Sequence, residues 1–307
     1  MKKQATRIHI PVLAKELLSN LQVKPNGTYV DCTAGFGGHS SLIASKLNKG
    51  TLICIDQDAN AINYLKNLFL NNAHVHIYKD NFEHLDTIVS QPVDGIIMDL
   101  GVSSLMFDDP TRGFSYKLEG PLDMRMNQNN TLTAADIVNK YSRADLIRIF
   151  TKYGEVKNVK AVVNAIGRYR DSKPIETTTE LADIIADCFP GSMIRKHPAK
   201  TYFQALRIEV NRELDVLTSV LNKAVKLLKH DGRLAIITFH SLEDRIVKNF
   251  FRDLTQVKDL YGKESPISKL TKPEFKLITK KPIGPSLLEI EQNRRSHSAK
   301  LRIIQKI

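Results

Sequence analysis

Asp31-Cys-Thr-Ala-Gly35-Phe-Gly37-Gly38-His39-Ser40 is the stretch on which the reading of the fold turns. A short β-branched run leads into it, and a segment of helical character follows. A strand, a glycine turn and a helix in that order bring backbone N–H groups close to a nucleotide. Glycine has no Cβ, so the chain can turn sharply and a ligand can come near. Alone the pattern is ambiguous, because glycines also make ordinary turns.

Outward from this stretch, residues 28–33, 51–56, 74–78 and 93–99 read as buried strands: each is brief, β-branched or apolar, and followed by turn or helix signals. Helical character at 40–47 and 60–69 separates them. Alternation of this kind predicts a parallel sheet with helices on both faces. The rhythm then stops. Residues 110–208 offer no comparable strand but several helix starts, with capping boxes at Thr133-Ala-Ala-Asp136 and Thr177-Thr-Thr-Glu180. Ser142 is placed to cap a helix over 143–152, and 160–170 is a further helix candidate. Phe203, Leu206, Val210, Leu214, Leu217, Leu221, Val225 and Leu228 form one apolar stripe, in one helix or two, which His230-Asp231-Gly232 ends with Gly232 as the expected cap. Strands are expected again at 233–239, 275–282 and 298–306, a helix at 241–254, and a mobile loop over 256–272. The fold class expected is therefore α/β, a Rossmann-like sheet with a helical domain inserted after its fourth strand. The expected domains are 1–109 with 209–307, and 110–208.

The ends of the strands carry the chemistry. Asp56 closes the second strand 19 residues after Gly37, where a carboxylate can accept from both ribose hydroxyls of a nucleotide. Asp58 and Asn60 also precede a helix, so a capping role for this acid stays open. Asp80-Asn81-Phe82 follows the third strand, where a polar group could read an adenine edge and Phe82 could lie on its face or in the core. These features suit a nicotinamide cofactor as well as S-adenosylmethionine. The fourth strand separates the two. It ends Ile97-Met98-Asp99-Leu100-Gly101-Val102-Ser103-Ser104, with an acid at the open edge where many methyltransferases hold the acceptor nitrogen.

Composition bounds the partners. The net charge is +12, and residues 1–109 hold 9 Lys+Arg against 11 Asp+Glu, whereas residues 110–307 hold 36 against 22. A polyanion bound by the later part of the chain would explain that asymmetry; so would a lysine-rich solvated surface. No apolar run approaches the ~20 residues that cross a bilayer, and no signal peptide follows Met1-Lys2-Lys3-Gln4. The three cysteines are scattered, and neither they nor the histidines have metal-ligand spacing. The chain reads as cytoplasmic, without membrane or metal.

Segments Val30–Ser40, Met98–Ser104, Arg112-Gly-Phe-Ser115, Gly120-Pro-Leu-Asp-Met-Arg-Met126, Phe203-Gln-Ala-Leu-Arg-Ile208, Phe239-His-Ser-Leu-Glu-Asp-Arg245 and Ser298-Ala-Lys-Leu-Arg302 resemble the ribosomal RNA small-subunit methyltransferase H family, also called MraW. The resemblance spans almost the whole chain in order. It implies methyl transfer from S-adenosylmethionine to N4 of a cytidine in small-subunit (16S) ribosomal RNA near the decoding centre. It also implies cofactor contacts at Gly37, Gly38, His39, Asp56, Phe82 and Asp99, and a substrate-recognition role for the inserted domain. Met106 stands where the family has a contacting glutamine, and a thioether cannot replace an amide's hydrogen bonds. Thr201-Tyr202 replaces an Arg-Thr pair, and Asn293-Arg-Arg-Ser-His297 an Asn-Pro-Arg-Ala-Arg run.

A cytosine amino group is a poor nucleophile, so Asp99, with the backbone carbonyls of Leu100 and Gly101, is the expected catalytic acceptor of its hydrogens; a role in cofactor binding alone is the competing reading. His240 is a candidate for contact with the base or for a structural turn. Arg112, Lys117, Arg125, Lys200, Arg207, Arg294, Arg295 and Lys300 are candidates for the phosphate backbone. Two other functions remain open: the same fold with a non-ribosomal acceptor, and a non-catalytic RNA-binding assembly factor.

Overall fold

The computed structural model describes residues 11–190, 197–259 and 270–307. The chain divides into two compact units, one of residues 1–101 with 216–307 and one of residues 102–215.

The first unit opens with α1 (Ala14–Leu21), β1 (Thr28–Asp31), α2 (Gly38–Ala44), β2 (Thr51–Asp56), α3 (Ala59–Leu68), β3 (Val75–Lys79), α4 (Leu85–Ile88) and β4 (Val93–Asp99). It resumes within α11 (Glu213–Leu227) and continues through β5 (Leu228–Thr238), α12 (Ser241–Thr255), β6 (Lys258–Asp259), β7 (Leu270–Thr271), β8 (Phe275–Leu277), α13 (Leu287–Gln292) and β9 (Lys300–Lys306). Seven strands form one sheet in the order β3-β2-β1-β4-β5-β9-β8. The first five run parallel, and β9 and β8 close the edge antiparallel.

Burial explains the layers. One face of the sheet packs Val30, Ile55, Met98 and Ile236 under Leu85 of α4, Leu217 and Leu221 of α11 and Phe251 of α12. The other packs Tyr29, Leu52, Ile97 and Ile237 under Leu17 and Leu21 of α1, Ile43 of α2 and Leu65 of α3. Strands covered on both faces read as near-continuous apolar runs, which is why β1, β2 and β4 were conspicuous in the sequence. The chain leaves β1 toward β2 and β3, then crosses to β4 and β5, so the strand order reverses between β1 and β4. Ligands of open α/β sheets bind in the crevice at the carboxyl ends beside such a reversal.

The second unit is helical: α5 (Ser104–Asp108), α6 (Ala134–Lys140), α7 (Arg143–Lys152), α8 (Lys160–Arg170), α9 (Thr178–Asp187) and α10 (Ala199–Asn211). Both expected capping boxes form, at Thr133 and Thr177, and Ser142 caps α7. The only β pairing among its described residues is an isolated bridge between Pro121 and Thr177.

The structure settles one local expectation that was left open and corrects others. The apolar stripe is two helices, broken where Arg212 takes a left-handed φ of 51°. Gly232 is not their cap. β5 starts directly at Leu228, Asp231 takes the positive φ, and the pairing shifts between Val93–Leu228 and Gly95–Arg233 to absorb the extra residues. The closing strands are shorter than expected, and α1 and α13 were not anticipated. The loop expected over 256–272 begins and ends in the β6–β7 pair, and its interior lies outside the described residues, as does the stretch Met1-Lys2-Lys3-Gln4. Among the described residues no helix is long and apolar enough to cross a membrane.

Candidate active site at the carboxyl edge of the sheet

Three aspartates end adjacent strands: Asp31 on β1, Asp56 on β2 and Asp99 on β4. Each is tied to the glycine loop in its own way. Asp31 is buried; its carboxylate accepts the Ser40 hydroxyl at 2.6 Å and the Thr33 amide at 3.2 Å, clamping the first turn of α2 to the strand it follows. Burial pushes its pKa up, and the Ser40 hydroxyl only partly offsets this. Asp56 accepts the Gly35 amide at 2.8 Å and the Asp58 amide at 2.8 Å. Desolvation raises its pKa to about 6 despite those bonds. Asp99 takes its place through its backbone, whose N–H donates to Thr33 Oγ1 at 2.6 Å.

Gly37 sets the entrance. It caps α2 in the left-handed region, at φ 80°, and a Cβ added there would lie 2.5 Å from Leu68 Cδ2. A side chain at this position is strained by its backbone and obstructed by α3. Gly38 and His39 are the first residues of α2. His39 is buried, with Nε2 3.5 Å from Asp99 Oδ2. Burial works against its imidazolium, but Asp99, then Asp31 and Glu289, outweigh burial and raise the pKa. Both ring nitrogens of His39 and Oδ1 of Asp99 are buried without a hydrogen-bond partner among the described residues. Buried polar atoms are paired in most folded proteins, so three such atoms in one cluster mark a place suited to a polar ligand.

The third strand contributes less directly. Asn81 follows β3, its side chain reaching Gln57 Oε1 at 3.2 Å beyond the end of β2. Phe82 opens a single 3₁₀ turn, and its half-buried ring packs against the sheet core. Gly37, Gly38, His39, Asp56, Phe82 and Asp99 thus all lie at the carboxyl edge of the first unit. Met106 belongs to α5 of the second unit, where it is buried.

The sequence reading passed over Thr33, Ser40 and Glu289. Glu289 sits on α13, accepts the Leu13 amide at 2.8 Å and contributes to the field on His39. A signal for it existed: Ser286 and Glu289 have N-cap spacing, and the Ser286 hydroxyl does accept the Glu289 amide.

His240 has work of its own in the turn between β5 and α12. Its Nδ1 accepts the Glu243 amide at 3.4 Å, while the buried Glu243 carboxylate accepts the Phe239 and His240 amides at 2.8 and 3.3 Å. Its Nε2 is 3.0 Å from Glu243 Oε1 without the alignment of a hydrogen bond.

Four of the eight cations expected at phosphates are engaged internally. Arg112 is 4% exposed and donates to the carbonyls of Arg125 and Met126, both at 3.0 Å. Arg125 grips Asp123 through Nε and Nη2 at 2.9 and 2.6 Å. Arg207 grips Glu213 through Nε and Nη2 at 2.8 and 2.9 Å, and Lys300 lies 3.1 Å from Asp244. An arginine whose fork is filled by its own chain is structural. Lys117, Lys200, Arg294 and Arg295 are exposed.

Residues 6–307 match the family described as the MraW methylase family. A protein of Fusobacterium nucleatum, ribosomal RNA small subunit methyltransferase H, is 50% identical over 314 residues, covering 100% of this chain and 99% of that one. Among solved structures, an rRNA methylase of Clostridium thermocellum aligns over 97% of this chain and 99% of its own, with 13% identity and a TM-score of 0.48. A methyltransferase of Streptococcus mutans, solved in complex with SAH, aligns over 97% and 99%, with 15% identity and a TM-score of 0.45.

Proposed function

Because the chain belongs to the MraW methylase family, we propose that it transfers a methyl group from S-adenosylmethionine to N4 of a cytidine in small-subunit ribosomal RNA near the decoding centre. The observation that carries the reading is 50% identity over the full length of a ribosomal RNA small subunit methyltransferase H. The acceptor is proposed to be RNA within an assembled or partly assembled small subunit, and the helical unit of residues 102–215 to recognise it.

The residues at the carboxyl edge fit the donor. The open backbone at Gly37 and Gly38 lets a nucleoside come close, and the unpartnered nitrogens of His39 and Oδ1 of Asp99 offer it polar contacts. Asp56, ionised, accepts from ribose hydroxyls with the lone pairs that the Gly35 and Asp58 amides leave open. Phe82 lies against the adenine. Met106 contributes no amide hydrogen bond to this set. When bound, S-adenosylmethionine supplies an electrophilic methyl group on a sulfonium.

The protein must then make a weak nucleophile stronger. Asp99 and the carbonyls that follow it accept hydrogen bonds from the cytosine amino group, which localises the lone pair on nitrogen and holds it in line. The carboxylate beside His39 is a ready sink for the proton released as the N–C bond forms. No metal is required, since the positive charge of the sulfonium already lets a neutral sulfide leave.

The test is mass-spectrometric mapping of small-subunit RNA from cells with and without the gene. One methyl group on one cytidine base should vanish on deletion and return with the purified chain and S-adenosylmethionine. Identical methylation maps from the two strains would end the proposal.

A further inference from the structure

The helical unit carries an aromatic column for which the reaction above has no use. Tyr116 lies nearly parallel to His197, with ring centroids 4.9 Å apart and planes 24° apart. It meets Phe203 edge-on at 5.8 Å. The rings run from core to surface: Phe203 is buried, Tyr116 half-buried and His197 exposed. The imidazole is held in place, because its Nδ1 accepts the Ala199 amide at 3.3 Å as α10 begins. In the neutral ring that bond leaves the proton on Nε2, a donor. Lys117 keeps its ammonium 6.0 Å from the Tyr116 centroid, and Lys200 is exposed in the first turn of α10.

An exposed ring, fixed from behind by a second ring that has an ammonium group near it, with a further exposed lysine three residues along the chain, matches what single-stranded RNA presents: a flat base joined to phosphates. Sequence-specific RNA recognition works chiefly on such splayed bases, stacked on aromatic side chains that include histidine. We propose that His197, backed by Tyr116, stacks an unpaired nucleobase of the RNA substrate, with Lys117 and Lys200 turned to its phosphates. This rests on the RNA-methylating reading. The contact positions RNA and takes no part in making or breaking bonds, so His197 is a positioning residue.

Three substitutions separate stacking from helix capping. His197→Phe keeps a π-face and loses the acceptor for the Ala199 amide. His197→Asn keeps an acceptor and loses the ring. His197→Ala loses both. With the full-length chain and small subunits from cells lacking the gene, His197→Ala and His197→Asn should each raise KM for RNA about tenfold, as loss of one base–aromatic stack does. His197→Phe should stay within about twofold of the wild type; kcat and calorimetric affinity for S-adenosylhomocysteine should not move in any variant. Rescue by Asn but not by Phe would show that His197 only caps α10 and overturns the proposal, as does an unchanged KM throughout. A single-stranded RNA containing 2-aminopurine reads stacking without methyl transfer: its fluorescence should be quenched by the wild type and the Phe variant more than by the Ala variant. Equal quenching by all three overturns the stack even where methylation is normal. Selective quenching without any methylation overturns the reaction assigned above and leaves the stack standing.

Discussion

Asp31, Asp56 and Asp99 at the strand ends and Arg112, Arg125 and Arg207 in the helical unit are equally conspicuous in the sequence, yet the fold uses them in opposite ways. The carboxylates of Asp31 and Asp56 each accept two backbone or hydroxyl donors, and Oδ1 of Asp99 is buried without a partner among the described residues, so each acid keeps acceptor capacity. The arginines direct donors to carbonyls and carboxylates of their own unit. The same contrast appears in net charge. Residues 102–215 hold 17 Lys+Arg against 15 Asp+Glu, while residues 216–307 hold 19 against 9. The helical unit is therefore nearly neutral and much of it internally neutralised, and the excess positive charge lies in the closing third of the chain. A carboxylate can be half-satisfied and still stable if its pKa rises; a buried guanidinium cannot shed its charge, so it depends on acceptors that its own fold supplies.

The sharpest way to break that contrast is Asp99→Ala. If Asp99 aligns the amino group, kcat at saturating S-adenosylmethionine should fall about 100-fold or more; recovery of kcat at high donor concentration would reduce Asp99 to a binding residue. On the arginine side, Arg112→Ala should lower unfolding free energy by about 3 kcal/mol, because one buried and one part-buried carbonyl lose their donor. Denaturant melts would show it, while the slope of RNA affinity against salt should not change. A change in that slope would return Arg112 to the phosphate-binding set.

Asp56 offers a finer test through pH. Its pKa is about 6 in the folded chain against 3.8 ordinarily, so across that window the ligand-free folded state holds a proton that the unfolded state has lost. Stability of the ligand-free protein should therefore fall as pH rises through the window. Donor affinity, which needs the carboxylate, should rise with pH and be about tenfold weaker at pH 5 than at pH 7. Calorimetry with S-adenosylhomocysteine across that range measures it, and a flat profile would remove Asp56 from the ribose contact. The smallest effect is expected at an exposed cation: Lys117→Ala should weaken RNA binding a few-fold and reduce the salt slope by about one. An unaltered slope would mean that Lys117 meets no phosphate.

Legibility in the sequence followed the range of the interactions. β1, β2 and β4, the capping boxes at Thr133 and Thr177 and the cap at Ser142 depend on neighbours within a few residues or on continuous apolar runs, and all stand where the sequence puts them. Asp56 and Asp99 were visible as site candidates because a strand end is itself a local pattern. Glu289 carried only a helix-start signal with Ser286, and its place beside the site was not visible, since it meets Leu13 across 276 residues. Nor could the eight basic candidates be sorted, because the partners of Arg112 and Arg125 are backbone carbonyls and a carboxylate with no sequence mark of their own.

The order of apolar runs and glycines determined by itself that this chain would build a parallel sheet with a tight glycine turn after its first strand, since strand burial and the left-handed turn at Gly37 are encoded within a dozen residues. Which charges remain available, that β5 begins without a cap, and that His39 and Asp99 share one desolvated cluster were decided only by tertiary structure. Those outcomes depend on which distant groups the packed chain brings within hydrogen-bonding reach, and solvation is a property of the assembled fold rather than of any segment.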